Sequence, residues 1–233
     1  MSPVVTDLAG IPGVPESVLT PQDAAALPAT APPPWTLKLD AILWMHAASE
    51  EALEHVPAAL RSTRRLPFTV GGFVRYHDTP VGPYNEVWGS PVTLLPKGVP
   101  MGTVPFMVVD SLASVRGGRE NWSLPKTMGT FAWEGDGPAH AHGDSPAGAW
   151  SVDAVARTAG PPIPALGLLY NRQAMPDGRV LRVGARARGM ARMATVDVQT
   201  TGPSLPGWLL PGRHVGLVLR GATMRFGPPK VLR

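Results

Sequence analysis

Twenty-eight prolines and 26 glycines punctuate a chain of 233 residues. Proline breaks helix interiors and both residues favour turns, so the chain is cut into short segments that suit strands better than long helices. Hydrophobic residues make up 44% and charged residues 16%, enough apolar material for a packed core and too little charge for a disordered tail. Cysteine is absent, which excludes disulfides, thiolate metal sites and cysteine nucleophiles. No apolar run approaches the roughly 20 residues of a membrane helix. The N-terminus lacks a basic and apolar leader pattern, so a soluble cytoplasmic protein is expected.

Residues 1–34 carry eight prolines, no Lys or Arg, and three acids, Asp7, Glu16 and Asp23. They read as an N-terminal arm, 1–34, ahead of a domain spanning 35–233; the arm either wraps a domain or is loose. From Trp35 the pattern changes. Leu37, Leu39 and Ala41 alternate before the apolar run Ile42-Leu43-Trp44-Met45, which predicts a buried strand. Ser49 followed by Glu50 and Glu51 predicts a helix start, and Pro57 stops that helix near His55. Leu66–Tyr76 reads as a strand bent or bulged at Gly71-Gly72. Asn85–Leu95, Thr103–Val109, Thr130–Trp133 and Trp150–Ala156 are further strands, and Pro138–Gly148 a loop.

The clearest periodicity lies in 179–193. Arg182, Arg186, Arg188 and Arg192 share one parity; Leu181, Val183, Ala185, Ala187, Ala191 and Met193 share the other, as in a strand with an arginine face. His214–Phe226 alternates likewise, with Val215, Leu217 and Leu219 on one face. The fold class is therefore mainly β: an antiparallel barrel or sandwich with one or two short helices.

Only four residues are lysines, against 17 arginines. One of them, Lys126, follows a proline among Trp122, Leu124, Pro125 and Met128. Desolvation there disfavours the ammonium and lowers its pKa, and a neutral amine attacks ketones to form a Schiff base. The run Gly118-Arg119-Glu120, four residues, Pro125-Lys126, two residues, Gly129, with Tyr84-x-Glu86 upstream, resembles the signature of the acetoacetate decarboxylase family. The resemblance is specific over 82–129 and collinear from about Pro32 onward. It implies an antiparallel barrel around an apolar cavity, a homo-oligomer, a keto acid substrate, Lys126 as the Schiff-base lysine and Glu86 as an active-site carboxylate, with no metal or organic cofactor. Tyr84, Arg119, Trp122 and Met128 are candidate substrate contacts, Arg119 or Arg116 holding a carboxylate unless they brace the loop instead. The chain departs from the family at Thr127, where decarboxylases carry a second lysine, and at Gly71, collinear with a second glutamate. Lys38 is the nearest counterpart of their N-terminal arginine. These departures leave decarboxylation, aldol or dehydration chemistry, and a non-catalytic binding barrel as the readings to separate.

Three other features invite chemistry. His140-Ala-His142 with Asp144 has alternate spacing for a metal, but its Gly, Ala and Pro setting reads as a loop. His77-Asp78 precedes a Pro-Gly-Pro turn and reads as turn chemistry. The arginine face lacks the interleaved aromatic residues that nucleic-acid strands stack on, so no nucleic-acid partner is expected.

Overall fold

Trp35–Ala47 forms β1, which is buried on one face as far as Leu39 and on both faces from Ala41 to Trp44. Trp35, Leu37, Leu39, Ala41 and Leu43 line one side, while Ile42 and Trp44 enter a second core on the other. This double burial explains the switch from alternation to a continuous apolar run. The structure, a computed structural model, describes residues 3–56, 68–94, 100–135 and 137–232. Leu66 and Leu95 of the expected strands lie outside those residues.

Upstream of β1, helix α1 spans Pro21–Ala26 with Thr20 as its cap. The arm lies against the body: Val5, Leu8, Ile11 and Leu19 join the first core, and Val14 the second. After β1, Ser49 caps α2 (Glu50–Glu54) by accepting from Ala52 N, and His55 ends it. β2 (Phe68–Asp78) and β3 (Tyr84–Leu94) form a hairpin with Tyr76 opposite Tyr84. The pairing runs unbroken through Gly71 and Gly72 on both sides, so no bulge occurs there. These glycines answer to close approach instead: a Cβ on Gly71 would overlap the Trp44 ring, and one on Gly72 would lie 2.6 Å from Leu43.

β4 (Pro100–Gly102) and β5 (Phe106–Val109) follow, then an 11-residue helix, α3 (Leu112–Trp122), that the sequence did not announce. β6 (Lys126–Met128) runs parallel to β5, and β7 (Thr130–Trp133) pairs with β8 (Ala139–Ser145). β8 replaces the expected loop; its small Ala139 and Ala141 face the second core, and β7 and β9 pair with its two edges. β9 (Gly148–Ala174) and β10 (Val180–Thr201) make one long hairpin. α4 (Leu205–Trp208), β11 (Gly212–Phe226) and β12 (Lys230–Leu232) complete the chain. Arg182, Arg186, Arg188 and Arg192 are exposed along β10 as expected. Met193 is exposed too: past Ala191 the buried apolar positions of β10 are Ala194, Val196 and Val198, which enter the second core on the other face. In β11, Val215 is also exposed, and the buried residues are Val218 and Ala222.

Pairings β1–β2–β3–β4–β9–β10–β11–β1 close a ring. All are antiparallel except β4–β9, a single parallel bridge between Gly102 and Asn171. The ring is thus a β barrel with one weak seam. Its interior is an apolar cavity of about 280 Å³.

Candidate active site

Lys126 stands at the junction of α3 and β6. Ser111 caps α3 by accepting from Ser114 N, and the helix ends at Ser123, whose left-handed backbone (φ 53°) turns the chain toward the cavity. Inside α3, Gly117 and Gly118 sacrifice helix propensity, about 1 kcal/mol each. What they gain is space: a Cβ on Gly118 would come within 2.5 Å of Lys126 Cδ, and one on Gly117 would crowd the Trp35 ring. The aliphatic stem of Lys126 therefore lies against a bare stretch of helix.

Only 3% of Lys126 is exposed, and the same is true of Glu86 on β3. Lys126 Nζ is 2.7 Å from Glu86 Oε2 and donates to Ser114 Oγ at 2.9 Å. It also donates to the Tyr84 hydroxyl at 3.5 Å and sits 5.0 Å from that ring. Three partners meet the three donors of an ammonium. Tyr76 donates its hydroxyl to Glu86 Oε1 at 3.0 Å, so both carboxylate oxygens are engaged. Burial pulls the Lys126 pKa down, but the Glu86 carboxylate and Tyr84 together outweigh it, and the net shift is upward. The expected lowering is not found. The nitrogen is dry, as anticipated, but the carboxylate beside it favours the ammonium. Burial and the neighbouring carboxylate push the Tyr76 hydroxyl well above its ordinary value, so it stays a donor.

Arg119 is fully buried and turned away from the cavity. Its guanidinium donates to Lys126 O at 2.6 Å, Leu8 O at 2.6 Å and Ser17 O at 2.8 Å. It stitches the arm, α3 and β6 together and has no donor directed at a ligand; burial lowers its pKa to about 10. Arg116 pairs with Glu120 one helical turn on. Trp122 does line the cavity, its indole N–H anchored to Gly227 O at 3.0 Å and its ring edge-on to Trp35 and Phe226. Met128 is 39% exposed and off the cavity wall, although it shares strand parity with Lys126 at the end of β6. Lys38 is exposed and paired with Asp78. Thr127 is buried next to Lys126 but does not line the cavity. Gly71 faces the second core, so a side chain there could not reach Lys126; on β2 it is Val70, Val74 and Tyr76 that face inward.

Among the described residues lining the cavity, Lys126 and Glu86 are the only charged ones. No cluster of three potential metal ligands occurs among the described residues. His140 Nδ1 instead meets Asp153 Oδ1 at 2.6 Å and its Nε2 meets His142 Nδ1 at 3.0 Å, on the outer face of β8. His77 pairs with Asp40.

The sequence profile of the acetoacetate decarboxylase (ADC) family matches residues 17–206. The chain belongs to this family. A solved acetoacetate decarboxylase superposes with a TM-score of 0.65 at 16% identity, covering 92% of this chain and 98% of the other. The enduracididine biosynthesis enzyme MppR, complexed with pyruvate, gives a TM-score of 0.62 at 14% identity, covering 100% and 99%. At such identities these likenesses show the acetoacetate decarboxylase fold alone. In sequence, the rice (Oryza sativa subsp. japonica) protein NEOXANTHIN-DEFICIENT 1 is 29% identical over 110 residues, 43% of this chain and 34% of its own length. The chain thus aligns with about a third of that relative.

Two members of the cluster around Lys126 escaped the sequence reading, Ser114 and Tyr76. Ser114 was hidden with α3. Tyr76 had a usable signal: it lies eight residues before Tyr84 across a short Pro- and Gly-containing turn, and a hairpin there sets the two side by side.

Proposed function

We propose that this chain is a cofactor-independent Schiff-base enzyme that decarboxylates a β-keto acid, with Lys126 as the amine and Glu86 as the group that takes and returns its proton. One observation carries the reading: a dry Lys126 Nζ lies 2.7 Å from Glu86 Oε2 on the wall of an apolar cavity.

An ammonium is not a nucleophile, so the first step moves its proton to Glu86 along that contact. The freed lone pair attacks the ketone carbon, the carbinolamine loses water, and an iminium forms. The bond to the carboxylate-bearing carbon's CO₂ group then breaks, and its electron pair moves toward the iminium nitrogen to give an enamine. Glu86, which gave its first proton to the departing water, takes up another from solvent and delivers it to carbon, and water hydrolyses the new iminium to release the ketone. Tyr76 steadies Glu86; Tyr84 and Ser114 hold Nζ; Trp122 packs the wall. Among the described lining residues a carboxylate in this cavity has no cation besides the iminium and lies near Glu86, whereas departing CO₂ is neutral. That contrast favours its loss.

The saturated ammonium and the absence of a second lysine at Thr127 favour a second reading, a non-catalytic barrel that binds small molecules. Borohydride trapping with a panel of β-keto acids, read by intact mass and peptide mapping, separates the two. The expected result is an adduct on Lys126 with release of carbon dioxide. An adduct without carbon dioxide turns the assignment to aldol or dehydration chemistry on a keto acid, and no adduct across the panel leaves the binding barrel.

The setting we propose is a cytoplasmic homo-oligomer. Among the described residues no helix is long and apolar enough to cross a membrane. Exposed Ile163, Leu166 and Leu169 on β9 offer a subunit contact, which light scattering of the purified chain tests.

A further inference from the structure

The cavity extends well past the reacting centre. Glu86 and Val92 both line it, and six residues of β3 separate them, about 20 Å at the rise of a strand. The far end opens at Pro100, Leu168 and Leu169, which line the cavity yet are exposed, beside the single bridge that joins β4 to β9. Between the ends the wall is apolar, with Leu39, Val70, Val74 and Trp88 among its residues. At roughly 30 Å³ per non-hydrogen atom, the share of one liquid water, the cavity holds about nine such atoms. That exceeds a four-carbon keto acid, and the exposed rim adds more surface.

Charge points the same way. Among the described lining residues the one cation, Lys126, is already matched by Glu86, and both sit at the inner end. Among those residues an incoming carboxylate therefore finds no unmatched positive partner and one negative neighbour. Its binding must be driven by a remote, non-reacting part of the molecule, which is how enzymes offset unfavourable contacts at a reacting centre. We infer that the substrate is a β-keto acid bearing an extended apolar chain on its ketone side, the ketone carbon at Lys126 and the chain running toward the β4–β9 opening. This substrate class rests on the Schiff-base reading above. The product is the corresponding methyl ketone, one carbon shorter, with carbon dioxide released and one proton taken up.

The test is a graded series: acetoacetate, 3-oxohexanoate, 3-oxooctanoate and 3-oxodecanoate, assayed by carbon dioxide release and by borohydride-trapped mass on Lys126. Each buried methylene should raise kcat/KM about fourfold until the channel is full, so the eight-carbon acid, with four more methylenes, should exceed acetoacetate by up to about 250-fold. Val70→Phe, partway along the channel, should bring that ratio toward one. Acetoacetate turned over as efficiently as 3-oxooctanoate overturns the inference while leaving the Schiff-base reading intact. If no member of the series gives carbon dioxide or adduct, the Schiff-base reading fails, and quenching of the lining Trp35, Trp88 and Trp122 by 2-butanone against 2-decanone decides the chain. Tighter binding of the longer ketone upholds an apolar-chain ligand, and equal binding overturns it.

Discussion

The two ends of the cavity are built on opposite plans. At the inner end the polar atoms around Lys126 have assigned partners: Nζ meets Glu86, Ser114 and Tyr84, Glu86 meets Tyr76, and Arg119 ties the strand's backbone to the arm. At the outer end a single bridge closes the barrel, and apolar side chains face solvent; Leu166 nearby is 88% exposed. Buried charge demands a fixed partner in low dielectric, so the inner end is specified residue by residue. Apolar surface makes no such demand, so the outer end can admit chains of different length or another subunit.

Breaking the inner end should have the largest effect. Lys126→Ala should abolish trapping and also destabilise the fold by about 3–5 kcal/mol, since it leaves the Glu86 carboxylate buried without its cation. Urea denaturation monitored by tryptophan fluorescence measures this. The double variant Lys126→Met with Glu86→Gln removes both charges and should regain most of that stability while remaining inactive. A double variant as unstable as Lys126→Ala would show that the charges are not what the fold answers to. Arg119→Ala comes next. It strips a donor from three buried carbonyls, at about 1–3 kcal/mol for each group left unsatisfied, so a loss of at least about 3 kcal/mol is expected. Limited proteolysis should then cut the arm first, because two of those carbonyls belong to it.

Much of this plan was legible beforehand. Alternation located β1 and β10, flanking turn residues set off β3, and Ser49 marked the start of α2. The Pro125-Lys126 motif with Glu86 named the central pair. α3 stayed hidden because Gly117 and Gly118 weaken the helical signal, and the reason for them, the Trp35 ring and the Lys126 stem, lies elsewhere in the chain. β8 read as a loop because Ala139–Ser145 holds small and polar residues; its strand state comes from β7 and β9 on either side. Arg119 looked available for a carboxylate because the sequence does not show which carbonyls fold around it. The charge of Lys126 was misjudged for a related reason. Composition reports that a side chain is dry, but the opposing Coulomb interaction depends on a distance between residues 40 positions apart in sequence.

Acid–base behaviour sharpens the comparison further. In the wild type the Lys126 pKa is raised, so the amine becomes available only as pH climbs, and borohydride trapping should keep increasing through the alkaline range. The pair's contribution to stability follows the same sign: it is intact at neutral pH and fades only as pH rises through the folded-state value. In Glu86→Gln the principal raising influence is gone and burial dominates, so the trapping profile should move to lower pH even as turnover falls. A profile that stays in place would mean that Glu86 does not control the protonation of Lys126.

The smallest effect belongs to the outer end. Leu166→Ser should change stability by no more than about 0.5 kcal/mol, because the side chain already faces solvent. Leu124→Ala, beside Lys126 and 4% exposed, should cost about 2 kcal/mol or more through the space it leaves. Light scattering of Leu166→Ser gives the comparison its second reading. If β9 forms the subunit contact, the particle mass should fall while the unfolding curve of the dissociated chain hardly moves. Should mass and stability fall together, folding and assembly are coupled there, and the outer end is as tightly specified as the inner one.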